Sequence, residues 1–459
     1  MREKPIFFIS SPHAKQSTQE VLGQAAYSHK ILAEKIVIFL KEAFSVHYVV
    51  DQEDLENHLI LSKSKIKNYF FYVGPPDFSW TSPKCRNYLL LTWEFPDIPS
   101  ESIEGFYNNW ISKLRKFEMV ILPNRILHHK LNELDIPNEF FPIGRSITQS
   151  VDMNLSQSLD ILANQDCVVM NHQMTNNSPE GVNSHLKLKF LTKTIDFATR
   201  YYFKLECDKF LPEFLRLSLR KIYREKLSNL LLRTYNKSYF RTVDSLALEI
   251  YGKTVVSSWL NVSDNRKNFE LLIKAYTQAS RLNSNSTLMI KIIGHSSELE
   301  KAKLILSNLQ DRFPNKLPPI ILIHGSLEDS TMYALRNATD IYLNTSSTEG
   351  ICLPALEHAI HGVKVVLPRN SAFLDYFSDR SANFYEVDCL PTHFPGDPSE
   401  KLQTSWNPPL FKDLVEVLKV SIENSHLDRK RIDRSRVQQK LKVDSKQFVR
   451  ELRERNGSR

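Results

Sequence analysis

Cysteine is scarce: Cys85, Cys167, Cys207, Cys352 and Cys389 are scattered through 459 residues with no close pair. That spacing argues against a zinc site and against a disulfide framework, and a reducing cytoplasm is the expected setting. Long apolar runs are missing too. No stretch approaches the ~18 residues of a membrane span, and the first four residues lead straight into Ile6 to Ile9, too short a run for a signal peptide. Any membrane contact is therefore expected to be peripheral. What is present, 42% apolar and 24% charged residues, describes a globular chain in water. Its length is too great for one core, so two domains of ordinary size are expected.

The excess of positive charge is local. Lys187 to Arg241 carries a net +9 and Asp428 to Arg459 a net +7, so with a chain total of +8 the remainder is net negative. The first of these runs has a helical pattern interleaved with Phe190, Tyr201, Phe210 and Phe214. Such a run can lie on an anionic membrane surface, form the solvated face of a helical subdomain, or meet a polyanion or protein partner. Nucleic acid is not the expected partner.

Residues 340 to 367 organise the chain. Ile341 to Leu343 is a short buried strand, followed by a polar loop. Pro354 opens a helix where its missing N–H costs nothing, Gly362 closes it, and Val363 to Leu367 starts another strand. This is one unit of a parallel α/β sheet, with its loop at the carboxyl end of a strand, where such sheets bind ligands. The amides of Gly350, Ile351, Cys352 and Leu353 fall at the positive end of the helix dipole and suit an anion, while Glu349 and Glu357 bracket them as acceptors for sugar hydroxyls. Either glutamate alone is equally well read as an ordinary solvated residue.

The context Glu349-Gly-x-x-Leu-Pro-x-x-Glu357 between two buried strands resembles the donor-site signature of retaining glycosyltransferases of the GT-B fold, of the family-four type. The resemblance implies two Rossmann-like, doubly wound domains facing a cleft. It also implies that Glu349 lies by the transferred sugar and Glu357 by the ribose of the nucleotide. On this reading residues 1–150 form an acceptor-side domain, 151–250 a helical basic insertion, 251–427 the nucleotide-sugar donor domain, and 428–459 a basic tail.

Around Lys253 the donor half begins, with a strand over Thr254 to Trp259 and then the loop Val262 to Asn268. Arg266 and Lys267 stand just before an amphipathic helix, where cations are opposed by the dipole unless an anion visits. They suit the pyrophosphate of a sugar nucleotide, and Lys267 matches the family's lysine. The family's second arginine, directly after the strand, is replaced here by Ser258 or Trp259. Strands over Thr287 to Ile293 and Ile320 to His324 lead to Gly294 and Leu327, which the resemblance places near the donor and its base.

In the first half, Gly23 precedes a long helix from Ala25 to Phe44 and corresponds to the family's acceptor-side glycine loop. The strand over Tyr88 ends at Trp93 and Glu94. Glu94 can accept a hydrogen bond from an acceptor hydroxyl and Trp93 can stack on a sugar face; a core tryptophan beside a surface glutamate is the alternative. His128 and His129 are adjacent on a helix and point apart, so a shared metal is not expected. No Asp-x-Asp pair occurs, and protein groups are expected to neutralise the diphosphate without a metal or cofactor. The partners implied are a nucleotide sugar and a glycan or lipid-linked acceptor. An epimerase or hydrolase of sugar nucleotides, or a non-catalytic scaffold on the same fold, remains open at this point.

Overall fold

The structure is a computed structural model. It describes residues 5–16, 25–62, 68–94, 98, 109–143, 155–170, 240–243, 245–282, 285–312, 317–377, 384–393, 405–425 and 450. Two sheets carry the architecture. The first contains β1 (Ile6–Ser10), β2 (Ser45–Tyr48), β3 (Asn68–Val73), β4 (Arg86–Leu90), β5 (Met119–Leu122) and β6 (Asn138–Phe140), in the order β2-β1-β3-β4-β5-β6. Every pairing in it is parallel. Strands in such a sheet are covered on both faces, which is why β3 reads Asn-Tyr-Phe-Phe-Tyr-Val without polar alternation. Leu32, Ala33, Ile36 and Leu40 of the Ala25–Lys41 helix pack on one face, and Leu55, Trp110, Leu114 and Leu131 on the other.

The second sheet contains β7 (Cys167–Met170), β8 (Phe240–Val243), β9 (Thr254–Leu260), β10 (Ser286–Ile292), β11 (Ile320–His324), β12 (Ile341–Leu343), β13 (Lys364–Pro368) and β14 (Phe384–Val387). Their order is β14-β13-β12-β9-β10-β11-β7-β8. From β14 to β11 all pairs are parallel; β7 then runs antiparallel to β11, and β8 antiparallel to β7. The chain winds outward from β9 through β10 to β11, returns, and winds the other way through β12, β13 and β14. The switch point therefore lies between β9 and β12, and the loops leaving those strands open side by side.

One expectation needs correcting. The span 151–250 was set apart from the donor half, yet both of its described ends belong to the second sheet. The helix Leu155–Leu162 lies against the Asp329–Ala338 helix, and β7 and β8 extend the sheet edge. Four-residue strands such as Cys-Val-Val-Met leave too short a pattern to be read without their partner. The basic run Lys187 to Arg241 lies almost wholly outside the described residues, as does the basic tail.

The described parts of the proline-rich span 391–409 carry structure of their own. Thr392–His393 and Ser405–Trp406 form a small antiparallel ladder, and Trp406 is buried against the core of the first sheet. The helix Phe411–Glu423 stays on the second sheet, its Leu414, Val415, Leu418 and Ile422 packed with Leu272 and Tyr276.

Candidate functional site

The loops after β9 and β12 are stitched together by side chain to backbone bonds. Asn268 Nδ2 donates to Thr345 O at 2.7 Å and to Ser347 Oγ at 2.8 Å. Thr345 Oγ1 returns a bond to Lys267 O at 2.7 Å, and Ser347 N donates to Arg266 O at 2.8 Å. Asn268 is left-handed (φ 51°, ψ 48°), a conformation asparagine tolerates, and through it the short turn Asn265–Lys267 passes into the Phe269–Ala279 helix.

This stitching sets Lys267 against Glu349. Lys267 Nζ donates to Glu349 Oε1, and Ser346 Oγ donates to the same oxygen at 2.6 Å. Burial pushes the Glu349 carboxyl up, but Lys267 and Arg266 outweigh it and hold the group below its ordinary value. Arg266 forks to Asp264 (Nη2 to Oδ2, 2.8 Å) and, across the cleft, to Glu94 of the first domain. Burial opposes the charge of Arg266, and Glu94 and Asp264 more than restore it. Glu94 is shifted the other way: burial raises its affinity for a proton, Arg266 only partly offsets that, and Glu349 adds to it. Glu94, Arg266, Lys267 and Glu349, four residues singled out in the sequence, thus form one charged cluster between the domains.

Beside it starts the Leu353–Ile360 helix. Cys352 before it is left-handed (φ 56°, ψ 63°), and Pro354 sits in its first turn. The amides of Gly350, Ile351, Cys352 and Leu353 donate to no protein acceptor among the described residues, as an anion-binding helix end requires. Gly350 O accepts from Asn124 Nδ2 of the first domain at 2.6 Å. Further along the helix, Glu357 is buried, with Arg336 on Oε2 and Lys35 of the first domain on Oε1 at 3.0 Å. Burial raises the Glu357 carboxyl, and the two cations bring it below its ordinary value.

Gly294 and Gly325 both have positive φ (131° and 99°) at the ends of β10 and β11. A Cβ on Gly294 would lie 2.8 Å from Glu298 Cγ, so the close start of the Ser296–Arg312 helix already demands glycine there. Leu327 follows Gly325 and is partly buried against the core. Trp93 takes the second of its two readings: its ring is buried in the core of the first domain, its centroid 4.6 Å from that of Trp110 in a T-shaped pair. The site expected at Gly23 lies outside the described residues.

Sequence reasoning missed the polar frame behind the cluster. Glu349 N donates to Ser371 Oγ at 2.8 Å, and Ser371 donates to Asn370 Oδ1. Asn370 Nδ2 reaches Ser346 O and Ser347 O at 3.1 Å and Asn407 O at 2.7 Å. These residues lie far apart in sequence, and only the fold brings them together.

No protein-family model matches the sequence, and no curated protein matches it. Solved structures do match. A sucrose-phosphate synthase from Thermosynechococcus elongatus, 10% identical, aligns over 100% of both chains with a TM-score of 0.50. A glycosyltransferase from Rickettsia africae ESF-5 is 10% identical over 99% of this chain and 98% of its own, with a TM-score of 0.49. An alpha,alpha-trehalose-phosphate synthase (UDP-forming) from Burkholderia xenovorans, in complex with glucose-6-phosphate, is 9% identical over 98% and 99%, also at 0.49. The fold is GT-B.

At such identity the likeness fixes the fold and leaves chemistry to the residues. In this GT-B frame the charged cluster lies where the two domains meet. No group of three His, Cys, Asp or Glu side chains among the described residues is arranged to hold a metal. His128 bonds Asn138 and His129 pairs with Glu133, each within its own neighbourhood. No described helix is long and apolar enough to cross a membrane.

Proposed function

We propose that this protein is a glycosyltransferase of the family-four type, moving a sugar from a nucleoside-diphosphate sugar to a hydroxyl of a glycan or lipid-linked acceptor with retention of configuration. One observation carries the reading. Arg266, Lys267 and the free amides of Gly350 to Leu353 converge at the switch point of the second sheet, beside carboxylates from both domains. A diphosphate is the ligand that uses two cations and a helix N-terminus together.

In the transfer, the bond between the anomeric carbon and the diphosphate oxygen breaks, and its electron pair leaves with the diphosphate. Arg266, Lys267 and the amides stabilise that developing charge. The acceptor oxygen bonds to the anomeric carbon and passes its proton to the Glu94 carboxylate. Glu349 lies beside the sugar, and Glu94, with its raised proton affinity, faces the acceptor from the first domain. That a sucrose-phosphate synthase shares the fold supports a sugar as the substrate class.

The test is a thermal-shift panel of nucleoside diphosphates and their sugar conjugates, followed by transfer assays with the donor found. One base should stabilise the protein, by about 2.7 kcal/mol at a hundred times its dissociation constant; Glu349→Gln and Glu94→Gln should each lower turnover. No shift with any nucleotide overturns the reading. A second reading, a non-catalytic GT-B protein, is favoured by one fact: each charged side chain of the cluster already has a protein partner. Binding of nucleotide without turnover by any acceptor supports it.

A further inference from the structure

Asn124 follows β5 of the first domain and is only 2% exposed, although its side chain is polar. Its Oδ1 accepts from Ile126 N at 3.1 Å, which leaves Nδ2 to face the second domain. The two hydrogens of that nitrogen find one acceptor on each side of the cleft. One is Gly350 O at 2.6 Å and the other is Trp93 O at 3.4 Å. Trp93 precedes Glu94 and Gly350 follows Glu349, so a single amide joins the two loops that carry the facing carboxylates. Those loops also touch directly: Thr348 Oγ1 donates to Glu94 O at 2.6 Å, and a Cβ on Gly350 would lie 3.8 Å from Trp93 N.

The bond to Gly350 O acts on the other edge of the same peptide. In a planar trans peptide the carbonyl and the following N–H point in opposite directions, and no peptide among the described residues is cis. Asn124 therefore turns the Ile351 N–H away from itself. That N–H meets no protein acceptor among the described residues, and Ile351 is 7% exposed; a buried donor of this kind is completed by a ligand or by water. We infer that Asn124 is a positioning residue: from the first domain it fixes the Gly350–Ile351 peptide so that the Ile351 N–H is presented to the diphosphate. The inference rests on the proposed donor site. A glycine has no side chain with which to hold its own peptide plane, so the plane is set from across the cleft. The second domain has its full anion site only when the first is docked on it.

The full chain is titrated calorimetrically with UDP, GDP and ADP, and the tightest binder is carried to Asn124→Ala, Asn124→Asp and Tyr376→Phe. Asn124→Ala should weaken it about tenfold. Asn124→Asp should weaken it further, because carboxylate oxygens then face the carbonyls of Gly350 and Trp93. Tyr376→Phe removes a different bond between the same domains, the one to Pro123 O, and should leave the affinity within about twofold. With isotope-labelled isoleucine, the Ile351 amide resonance should move on nucleotide binding in wild type and in Tyr376→Phe, and stay in place in Asn124→Ala. A residue that only supported the fold would not single out that amide. A wild-type Ile351 resonance that ignores the nucleotide overturns the inference without any variant having to fold; so does one that moves equally in Asn124→Ala, or equal weakening in Tyr376→Phe. If wild type binds a nucleotide and one of these results appears, this inference alone fails; if wild type binds none, the donor-site reading fails with it.

Discussion

Seven residues separate Glu349 from Glu357 in the sequence, and the structure treats the two alike. Each is buried, each is met by a cation, and each carboxyl is held below its ordinary value because the cations outweigh burial. A carboxyl whose folded pKa is depressed contributes stability that is present above its ordinary value near 4.5 and is lost as pH falls through the folded value. Melting temperature should therefore drop steeply below about pH 4.5, and the drop should be shallower in Glu357→Gln, whose amide does not titrate. A calorimetric pH series on the two proteins checks this; parallel curves would mean that Glu357 contributes nothing to acid sensitivity. At neutral pH the partner matters as much as the acid. Arg336→Met leaves Glu357 with Lys35 alone and should cost about 3–5 kcal/mol, the usual loss when a buried pair is broken from one side, as read by denaturant unfolding.

The elements of the site are loops at strand ends, held by a few side-chain amides. Asn370 joins the loop after β12 to the segment after Trp406 through three carbonyls. Asn370→Ala removes those donors and should cost about 1–3 kcal/mol, the desolvation penalty of unsatisfied buried acceptors. Asn370→Asp should cost more, because it turns a carboxylate towards oxygens. Comparing denaturation midpoints of the two variants separates lost bonding from lost volume. Gly362 closes the Leu353–Ile360 helix at φ 75°. Gly362→Ala should destabilise by about 1 kcal/mol, since an alanine there pays for the left-handed turn.

At the scale of the whole molecule, the domains meet through apolar packing and through a set of polar contacts. Beyond Arg266 with Glu94 and Lys35 with Glu357, Tyr376 OH donates to Pro123 O at 2.7 Å, and Arg125 N donates to Asp375 Oδ2 at 2.7 Å. Charged contacts between domains weaken with ionic strength, whereas the two cores do not. Raising salt, or substituting Asp375→Ala together with Tyr376→Phe, should therefore increase the radius of gyration in small-angle scattering and leave far-ultraviolet circular dichroism unchanged. A constant radius would show that apolar contacts such as Trp406 hold the domains.

The sequence by itself determined the parallel strands of both sheets, because strands covered on both faces are continuously apolar, as Tyr69 to Val73 and Val363 to Leu367 are. It also determined the loop at 344 to 352, since Pro354 and Gly362 mark a helix by local backbone chemistry alone. From these, and from the resemblance of the Glu349 to Glu357 stretch and of Lys267 to a glycosyltransferase donor-site signature, the candidate donor site was legible. Tertiary structure alone decided the rest. Trp93 could equally have faced a ligand or a core, and only the position of Trp110 put it in the core. The strands β7 and β8 are too short to carry a pattern and take their identity from the β11 edge. Lys35, Asn124, Arg336 and Asn370 bear no local mark, because what makes each of them matter is a partner far along the chain or in the opposite domain. Backbone conformation and continuous apolar patterning are written locally; ion pairs across a cleft depend on how two sheets come to rest against each other.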